Sequence, residues 1–390
     1  MIDIKDARNC CGCGACACAC PKKCIDIRRN EEGFDYPVIN VEQCIDCKLC
    51  EKICPYNSVQ ENDDNKQVYV GWSTDEEILL NSSSGGFFGT IAEIWLKEGG
   101  IVYAAGYDES FNVVHKRANR RKELLELRTS KYVQSRTGMI FKEIKEELLS
   151  GKKILFVGTP CQVSALRNYV GMSCENLLLI DLKCHGVPSP KLWSQYILYI
   201  KEKYELEDIK SINFRNKSNG WHNFNMKIEG KNKTYLKNHY FDRFLVPFFD
   251  NRALRMSCYK CEFNNSAADI TLADAWNVED NHKELYDVTK YNKGISLVGF
   301  NSEKGQEWQK NIEAYGNFIF YSSKMELQNP HNLPLPLDRK IFFDALNKIS
   351  PMNFFEKYCK VGLKIKIYVY IRIIMEHLGL MNIIRKIKNK

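Results

Sequence analysis

Cysteine is the residue type most able to do chemistry in this chain, and six cysteines lie within eleven positions at residues 10–20. Four of them fit the spacing C-x2-C-x2-C-x3-C-P, namely Cys10, Cys13, Cys16 and Cys20, with Pro21 after them. The same spacing recurs 34 residues later at Cys44, Cys47, Cys50 and Cys54, with Pro55 after them. Two such copies indicate thiolates arranged in advance for metal.

The repeated spacing is typical of bacterial ferredoxins with two 4Fe–4S clusters. Three thiolates two residues apart wrap one face of a cluster, and the other copy supplies the fourth ligand. We therefore expect two ligand sets, one of Cys10, Cys13, Cys16 and Cys54, the other of Cys44, Cys47, Cys50 and Cys20. Structural zinc, held by four thiolates in two C-x2-C pairs, is the weaker alternative. Cys11, Cys18 and Cys24 are left as spare thiols near the clusters.

The composition agrees with reduced, metal-binding thiols. The chain has 390 residues and 17 cysteines, eleven of them before residue 55. The first ten residues, MIDIKDARNC, are charged and lack the apolar run of an export signal. We therefore expect a cytoplasmic protein, in which dense cysteines favour metal over disulfides.

The positive charge is concentrated at one end of the chain. The net charge is +8, and residues 360–390 contain six Lys, two Arg and one Glu, which gives +7. The nearly neutral remainder argues against a nucleic-acid surface.

The apolar run of the C-terminal segment is interrupted by charged residues and is too short to span a bilayer. We expect a helix packed on the body or a partner, with peripheral membrane contact as the alternative.

The elements around the cysteines predict a small module followed by an α/β body. The module spans residues 1–58, and the polar stretch at 60–67 reads as its linker. At 81–100 a polar run and two glycines precede an apolar helix, whose free N–H groups suit an anion. Strands are expected at 101–108 and 112–118, and a helix at 139–149. From residue 152, two strand–turn–helix units predict a parallel sheet with crossover helices.

Four later cysteines fall in loops of this body. Cys161 and Cys184 follow predicted strands, and Cys258 and Cys261 form a C-x2-C pair. Loops at the carboxyl ends of parallel strands are where such sheets place chemistry. Spacing alone leaves three interpretations open: a third 4Fe–4S cluster, a zinc site with His185 as a substitute ligand, or a reactive thiol at Cys161 with a pKa lowered by a helix N-terminus.

Five short motifs in order resemble the beta-subunit family of the deazaflavin (coenzyme F420) hydrogenases and formate dehydrogenases. They are SSSGGFFG, SKYVQS, GTPCQ, CHGVPSPKLW and CYKCEF with ADIT. The resemblance covers residues 70–330, with the body divided at 68–150, 151–325 and a basic helical extension at 326–390. It implies a mixed α/β flavoprotein with FAD or FMN beside a third 4Fe–4S cluster.

The resemblance also implies which residues form the sites. The cluster cysteines of the family match Cys161, Cys184, Cys258 and Cys261. Flavin contacts fall on Ser84, Gly85, Gly86, Lys131 and Gln134. One departure is Ala273 before Asp274, where the family tends to have glycine.

The implied function is an iron–sulfur flavoprotein oxidoreductase. Clusters move single electrons, whereas a flavin also exchanges hydride, so it joins the two kinds of transfer. We expect electrons to pass between a ferredoxin-like redox protein, the N-terminal clusters, the inner cluster and the flavin, in either direction, with an unidentified small-molecule substrate. The alternatives are an electron-relay subunit without its own substrate and a deazaflavin-coenzyme reductase.

Overall fold

The cysteine-rich module is built on short elements that present the cysteine loops. The computed structural model of the protein describes residues 2, 4, 6–57, 67–171, 174–263, 267–276, 278, 293–322 and 332–377, so most of the predicted linker lies outside the described residues. The module contains α1 (Ala15–Ala19), β1 (Ile25–Arg29), β2 (Asp35–Ile39) and α2 (Leu49–Lys52). Strands β1 and β2 pair antiparallel. Gly12 and Gly14 both have positive φ, which lets the first cysteine loop turn sharply into α1.

The body is organised on one mixed sheet of eight strands. They are β3 (Gln67–Ser73), β4 (Ile101–Tyr107), β5 (Val113–Ala118), β6 (Ile154–Gly158), β7 (Leu177–Leu182), β11 (Ile270–Asp274), β12 (Ser296–Phe300) and β13 (Gly316–Ser322). Their order is β13-β3-β12-β11-β7-β6-β4-β5. The four strands β11-β7-β6-β4 are parallel, as the alternating pattern predicts. The outer strands are antiparallel, so the sheet is mixed and the prediction of a parallel sheet holds only for its centre.

A second, smaller sheet was not predicted. Its antiparallel strands are β8 (Ser211–Asn216), β9 (Asn225–Glu229) and β10 (Thr234–Asn238), in the order β10-β9-β8. Their polar, lysine-rich exposed faces weaken the hydrophobic signal of each short strand. Arg215 and Lys217, at the end of β8 and just after it, belong to the candidate site described below.

Helices cover the sheets and complete the core. They are α3 (Glu76–Leu80), α4 (Phe87–Lys97), α5 (Arg121–Leu127), α6 (Ile140–Leu149), α7 (Pro160–Val170), α8 (Pro190–Tyr204), α9 (Leu245–Phe249), α10 (Glu303–Ile312), α11 (Arg339–Lys348), α12 (Pro351–Tyr358) and α13 (Leu363–His377). The predicted helices at 81–100 and 139–149 are confirmed as α4 and α6. Prolines at the first position of α7 and α8 pre-set the helical φ where no N–H is needed.

The basic C-terminal segment begins with a helix whose outer side is apolar. In α13 the exposed residues Leu363, Ile367, Ile371 and Ile374 lie at helical spacing, while Val369 is buried against the body. The ring of Tyr370 stacks on Phe241, with 5.2 Å between ring centroids. Residues 378–390 lie outside the described residues. No helix among the described parts of the chain is both long and apolar enough to cross a bilayer.

The cysteine-rich module is fastened to the body by polar contacts around its first cysteine loop. The Thr137 hydroxyl donates to the Cys13 carbonyl at 2.7 Å. Arg136 pairs with the carboxylate of Asp35 through two hydrogen bonds. Arg339 pairs with Glu32 in the same two-pronged way. Bidentate guanidinium–carboxylate pairs fix the relative orientation of the two side chains as well as their distance. The first cysteine loop is therefore held in one position against the body.

Candidate iron–sulfur and cofactor sites

The structure brings the first predicted ligand set together. Burial raises the pKa of the Cys16 thiol, and the neighbouring thiols of Cys13, Cys10 and Cys54 raise it further. Burial likewise raises the pKa of Cys54 to about 11, with added repulsion from Cys13 and Cys10. Thiols that repel one another's negative charge in this way lie close enough to share one cofactor. Cys54 therefore lies near the first copy of the motif, and the crossed arrangement of ligands stays a prediction.

The second predicted set lines one pocket near the outer end of the module. Its walls include Cys20, Cys44, Cys47 and Cys50. Cys24, a spare thiol by sequence, lies in the same pocket with its sulfur 3.3 Å from the sulfur of Cys20. That contact raises the pKa of Cys24 to about 11. Cys47 is exposed, so this pocket opens towards solvent.

The four later cysteines converge beneath the module. Cys161 lies in the first turn of α7, directly after β6, and Cys184 follows β7. Burial raises the pKa of Cys184, and the thiols of Cys258, Cys161 and Cys261 raise it further. Burial also raises the pKa of Cys258 to about 12 and that of Cys261 to about 11. Three loops far apart in sequence thus bring four half-buried cysteines close to one another.

His185 and Cys161 bear on the alternatives that the sequence left open. The Nε2 atom of His185 lies 2.7 Å from Oδ1 of Asn251, so this ring is engaged by an amide. The pKa of the Cys161 thiol is lowered to about 7, mainly by the neighbouring Cys11 thiol and further by a hydrogen bond with the Thr159 hydroxyl. Among the described residues, no three or more ligating side chains are arranged around a single ion. Thiolates of a 4Fe–4S cluster bind different corners of a cube, so their sulfurs stand wider apart than ligands of one zinc ion.

Cys11 connects the first set with the inner four cysteines. Its thiol is buried in one hydrophobic cluster with Cys13 and Cys161, and their proximity raises the pKa of Cys11. The contact with Cys11 lowers the pKa of Cys13. The spacing rule left Cys11 as a spare thiol, whereas the fold makes it the bridge between two ligand sets.

Arg255 is a second connection that sequence analysis missed. It lies three residues before Cys258, and its guanidinium is completely buried against the first cysteine loop. Its Nε donates to the Cys10 carbonyl at 2.7 Å, and its Nη1 donates to Oε1 of Gln134 at 3.0 Å. A buried positive charge therefore lies beside thiols of both the module and the body.

The predicted flavin contacts are divided between two places. Ser84 donates to the Ile295 carbonyl at 2.6 Å, and the Gly85 N–H donates to the Ser296 hydroxyl at 2.9 Å. Gly86, at φ 91°, begins α4. The hydroxyl of Ser83 accepts from the N–H of Ser130 at 2.7 Å, so the SSSGG and SKYVQS loops meet as expected. Gln134 instead faces the module and donates to the Cys11 carbonyl at 2.8 Å.

Two half-buried lysines lie near the SSSGG loop. Lys131 donates to the carbonyls of Leu127, Arg128 and Thr129, and burial lowers its pKa to about 7. Lys217 donates to the carbonyls of Leu79 and Ser84, and burial lowers its pKa to about 7 as well. Neither ammonium group forms an ion pair with a carboxylate within the described residues. The loop therefore lies between two cationic groups suited to an anionic ligand.

A buried ion pair lies next to these lysines. Arg215 donates to Oδ2 of Asp274 at 2.8 Å and to the Tyr132 hydroxyl at 2.9 Å. Its guanidinium lies 5.0 Å from the ring centroid of Trp276, which itself stacks on Trp221. Asp274 is the residue that follows the Ala273 departure, and its carboxylate is held at the end of β11. Charge and aromatic faces thus line the edge where β8 and β11 end.

Comparison with known proteins identifies two segments of the chain. Residues 151–323 match the C terminus of the coenzyme F420 hydrogenase/dehydrogenase beta subunit. Residues 9–58 match a 4Fe-4S dicluster domain. Residues 151–323 are therefore similar to the C-terminal domain of that beta subunit. The resemblance inferred from the motifs is confirmed, and the dicluster match supports iron–sulfur clusters in the module.

Individual relatives are more distant. The beta subunit of coenzyme F420 hydrogenase from Methanococcus voltae is 32% identical over 102 residues, which are 25% of this chain and 36% of that protein. The chain thus spans about a third of that relative's length. A solved chain of the F420-reducing [NiFe] hydrogenase complex from Methanosarcina barkeri is 16% identical, with a TM-score of 0.44, over 77% of this chain and 94% of that one.

The body and the cysteine-rich module meet partly at residues that no motif marks. Cys11 is not part of the C-x2-C-x2-C-x3-C-P pattern, and Arg255 and Lys217 lie outside the recognised motifs. The signal available in sequence is the position of Arg255 shortly before the C-x2-C pair. Its importance emerges only when the fold brings the loop of Cys10 onto that segment.

Proposed function

We propose that this chain is an iron–sulfur flavoprotein oxidoreductase that passes electrons between two ferredoxin-type 4Fe–4S clusters, an inner 4Fe–4S cluster and a flavin. The observation that carries the proposal is the packing of Cys13, Cys11 and Cys161 in one hydrophobic cluster. It joins the dicluster domain to the four converging cysteines of the body. Electron transfer between separate sites requires such proximity.

The residues fit the cofactors by their chemistry. Thiols in three groups of four supply the soft ligands that iron–sulfur clusters require. When bound, the clusters supply one-electron transfer, and the flavin converts single electrons into hydride. Cys10, Cys13, Cys16 and Cys54 would hold one cluster, Cys44, Cys47, Cys50 and Cys20 another, and Cys161, Cys184, Cys258 and Cys261 the third.

The flavin is supported by the cationic surroundings of the SSSGG loop. Lys131 and Lys217 have no carboxylate partner among the described residues, and their lowered pKa reflects a charged form that is costly unless an anion offsets it. The diphosphate of FAD, or the phosphate of FMN, is an anion of the right kind, and the start of α4 adds favourable N–H dipoles. Ser84, Gly85, Gly86 and Lys131 stay in this role. Gln134 is better explained by its contacts with Cys11 and Arg255.

The proposal is tested by following electrons through the inner site. Protein purified without oxygen is mixed rapidly with a reduced ferredoxin, and the absorbance of bound flavin is monitored. We expect the flavin to bleach in the wild type. In Cys161→Ser, the N-terminal clusters should still be reduced while flavin bleaching slows at least about tenfold, because the intermediate site is lost. Equal bleaching rates in the two proteins would contradict the pathway.

A second candidate is an electron-relay subunit with no small substrate of its own. The observation favouring it is the apolar surface around the exposed Cys47, where Val41, Ile45 and Leu49 are 60%, 57% and 41% exposed. Such a surface beside a cluster suits docking of a redox protein. Both relatives described above belong by name to hydrogenases that use coenzyme F420, which makes that deazaflavin the first acceptor to test. Reduction of deazaflavin or another organic acceptor by the isolated chain favours the enzyme, and activity only with an added partner protein favours the relay.

A further inference from the structure

Arg255 is a buried cation whose direct partners are almost all neutral. Its guanidinium is 0% exposed. It donates to the carbonyls of Cys10 and Asp35 at 2.7 and 2.8 Å, and to the Gln134 amide oxygen. The ring centroids of Tyr36 and Phe34 lie 4.1 and 5.5 Å from its central carbon.

No carboxylate compensates this charge among the described residues. The Asp35 carboxylate is paired with Arg136 and lies 3.6 Å from Arg29, and only its backbone carbonyl accepts from Arg255. Burying an unpaired guanidinium costs several kcal/mol even when its N–H groups are satisfied. A group that carries negative charge is therefore needed near Arg255.

The groups able to supply that charge are the cysteines on either side. Nη2 of Arg255 lies 3.6 Å from Sγ of Cys10, a hydrogen-bonding distance to sulfur. On the body side, the Arg255 carbonyl accepts from the Cys258 N–H at 2.9 Å. Arg255 thus contacts Cys10 of the first ligand set through its side chain and Cys258 of the inner set through its backbone.

The first cysteine loop leaves room for the guanidinium. A Cβ on Gly12 would lie 2.7 Å from Nη1 of Arg255 and 2.8 Å from the Gln134 amide nitrogen. Gly12 also has φ 69°, which disfavours other residues. The close approach of Arg255 to the cysteine loop therefore requires glycine at position 12.

We propose that Arg255 is the internal counter-ion of the cluster held by Cys10, Cys13, Cys16 and Cys54, and that it raises the reduction potential of this cluster above that of the solvent-facing cluster. A cation and N–H···S bonds favour the reduced, more negative state of a cluster. Electrons entering at the exposed Cys47 end are then drawn inwards towards the inner cysteines. This inference rests on the proposed function and assigns direction to its first step.

The test compares Arg255→Gln and Arg255→Lys with wild type, each purified without oxygen and assayed for iron and sulfide before titration. Redox titration followed by electron paramagnetic resonance gives the midpoint potential of each cluster. We expect Arg255→Gln to weaken reduction of one N-terminal cluster about tenfold or more in equilibrium constant, since bonds to charged groups are worth that much. Arg255→Lys, which keeps the charge, should shift it far less. Arg252→Gln is the matched control, because Arg252 is nearby but already paired with Asp250.

Each outcome decides the proposal. Unchanged potentials in a fully loaded Arg255→Gln protein, or equal shifts in the Gln and Lys variants, would overturn it. If Arg255→Gln fails to hold its clusters while Arg255→Lys holds them, charge compensation is supported. If both variants lose clusters equally, the guanidinium acts by shape and the counter-ion role is wrong. Wild-type protein without iron would instead refute the proposed function.

Discussion

Cys11 and Cys161 pack in one hydrophobic cluster although the two residues are far apart in sequence. Cys13 belongs to the same cluster. The small side chain of Cys11 thus connects the cysteine-rich module with the body, between the two proposed redox sites.

Replacing Cys11 by alanine should preserve iron content but slow electron transfer between the module and the inner site. The thiol is not a ligand in our account, and its loss removes packing contacts between the two ligand sets. We expect a several-fold slower reduction of the inner cluster in rapid-freeze spectroscopy. Cys18→Ala is the control, because the Cys18 thiol donates to the Gly138 carbonyl and not to a proposed ligand. Loss of about four iron atoms in Cys11→Ala would show that Cys11 is itself a ligand.

Cys24 should substitute in part for Cys20. The two sulfurs lie 3.3 Å apart in the same pocket, so a small loop movement can place Cys24 at the open corner of the second cluster. Cys20→Ala is expected to retain most of its iron, whereas the double variant Cys20→Ala/Cys24→Ala loses about four atoms per chain. Iron analysis of the two proteins checks this. Equal losses in both would mean that Cys24 does not reach the site.

Removing either lysine should weaken flavin binding. Lys131→Met and Lys217→Met each delete a cation beside the SSSGG loop, and an interaction of this kind contributes about 1.5–3 kcal/mol. We expect an increase of about tenfold or more in the flavin dissociation constant, measured by fluorescence after the flavin is released and titrated back. Lys153→Met is the control, because that side chain pairs with Glu98 at the surface. Unchanged affinity in both variants would place the flavin elsewhere.

Stability should fall with acidity because of His115. This ring is buried between the Ser135 hydroxyl and the Val157 carbonyl, and burial lowers its pKa to about 4 from 6.5. As pH falls below 6.5, His115 is protonated in the unfolded chain but stays neutral in the folded chain. The free energy of unfolding therefore decreases down to pH 4, and this group changes it no further below that pH. Between pH 7.5 and pH 5 the loss from this group is about 2 kcal/mol.

The measurement is urea unfolding of wild type and His115→Gln at both pH values. The variant lacks the titrating ring. Between pH 7.5 and pH 5 its free energy of unfolding should therefore fall by about 2 kcal/mol less than that of the wild type. An identical pH dependence in the two proteins would show that His115 does not titrate between its folded and unfolded values.

The sequence predicted local features better than connections. The spacing of Cys10, Cys13 and Cys16 fixes a tight loop, and alternating apolar strands and helices in 152–200 predict the central parallel strands, because both signals are local. The antiparallel strands at either edge of the sheet depend on pairings between distant segments, such as β3 with β12. The contacts of Cys11 and Arg255 depend on the docking of two domains, which leaves no periodic or spacing signal in either one.

The central claim is tested most directly by iron and acid-labile sulfide in protein purified without oxygen, compared between wild type and Cys161→Ser. Three clusters predict about twelve iron atoms and as many sulfides per wild-type chain, and about eight of each in Cys161→Ser. Wild-type protein with about eight iron atoms and one zinc, or a variant whose iron content is unchanged, would contradict an inner cluster held by Cys161, Cys184, Cys258 and Cys261.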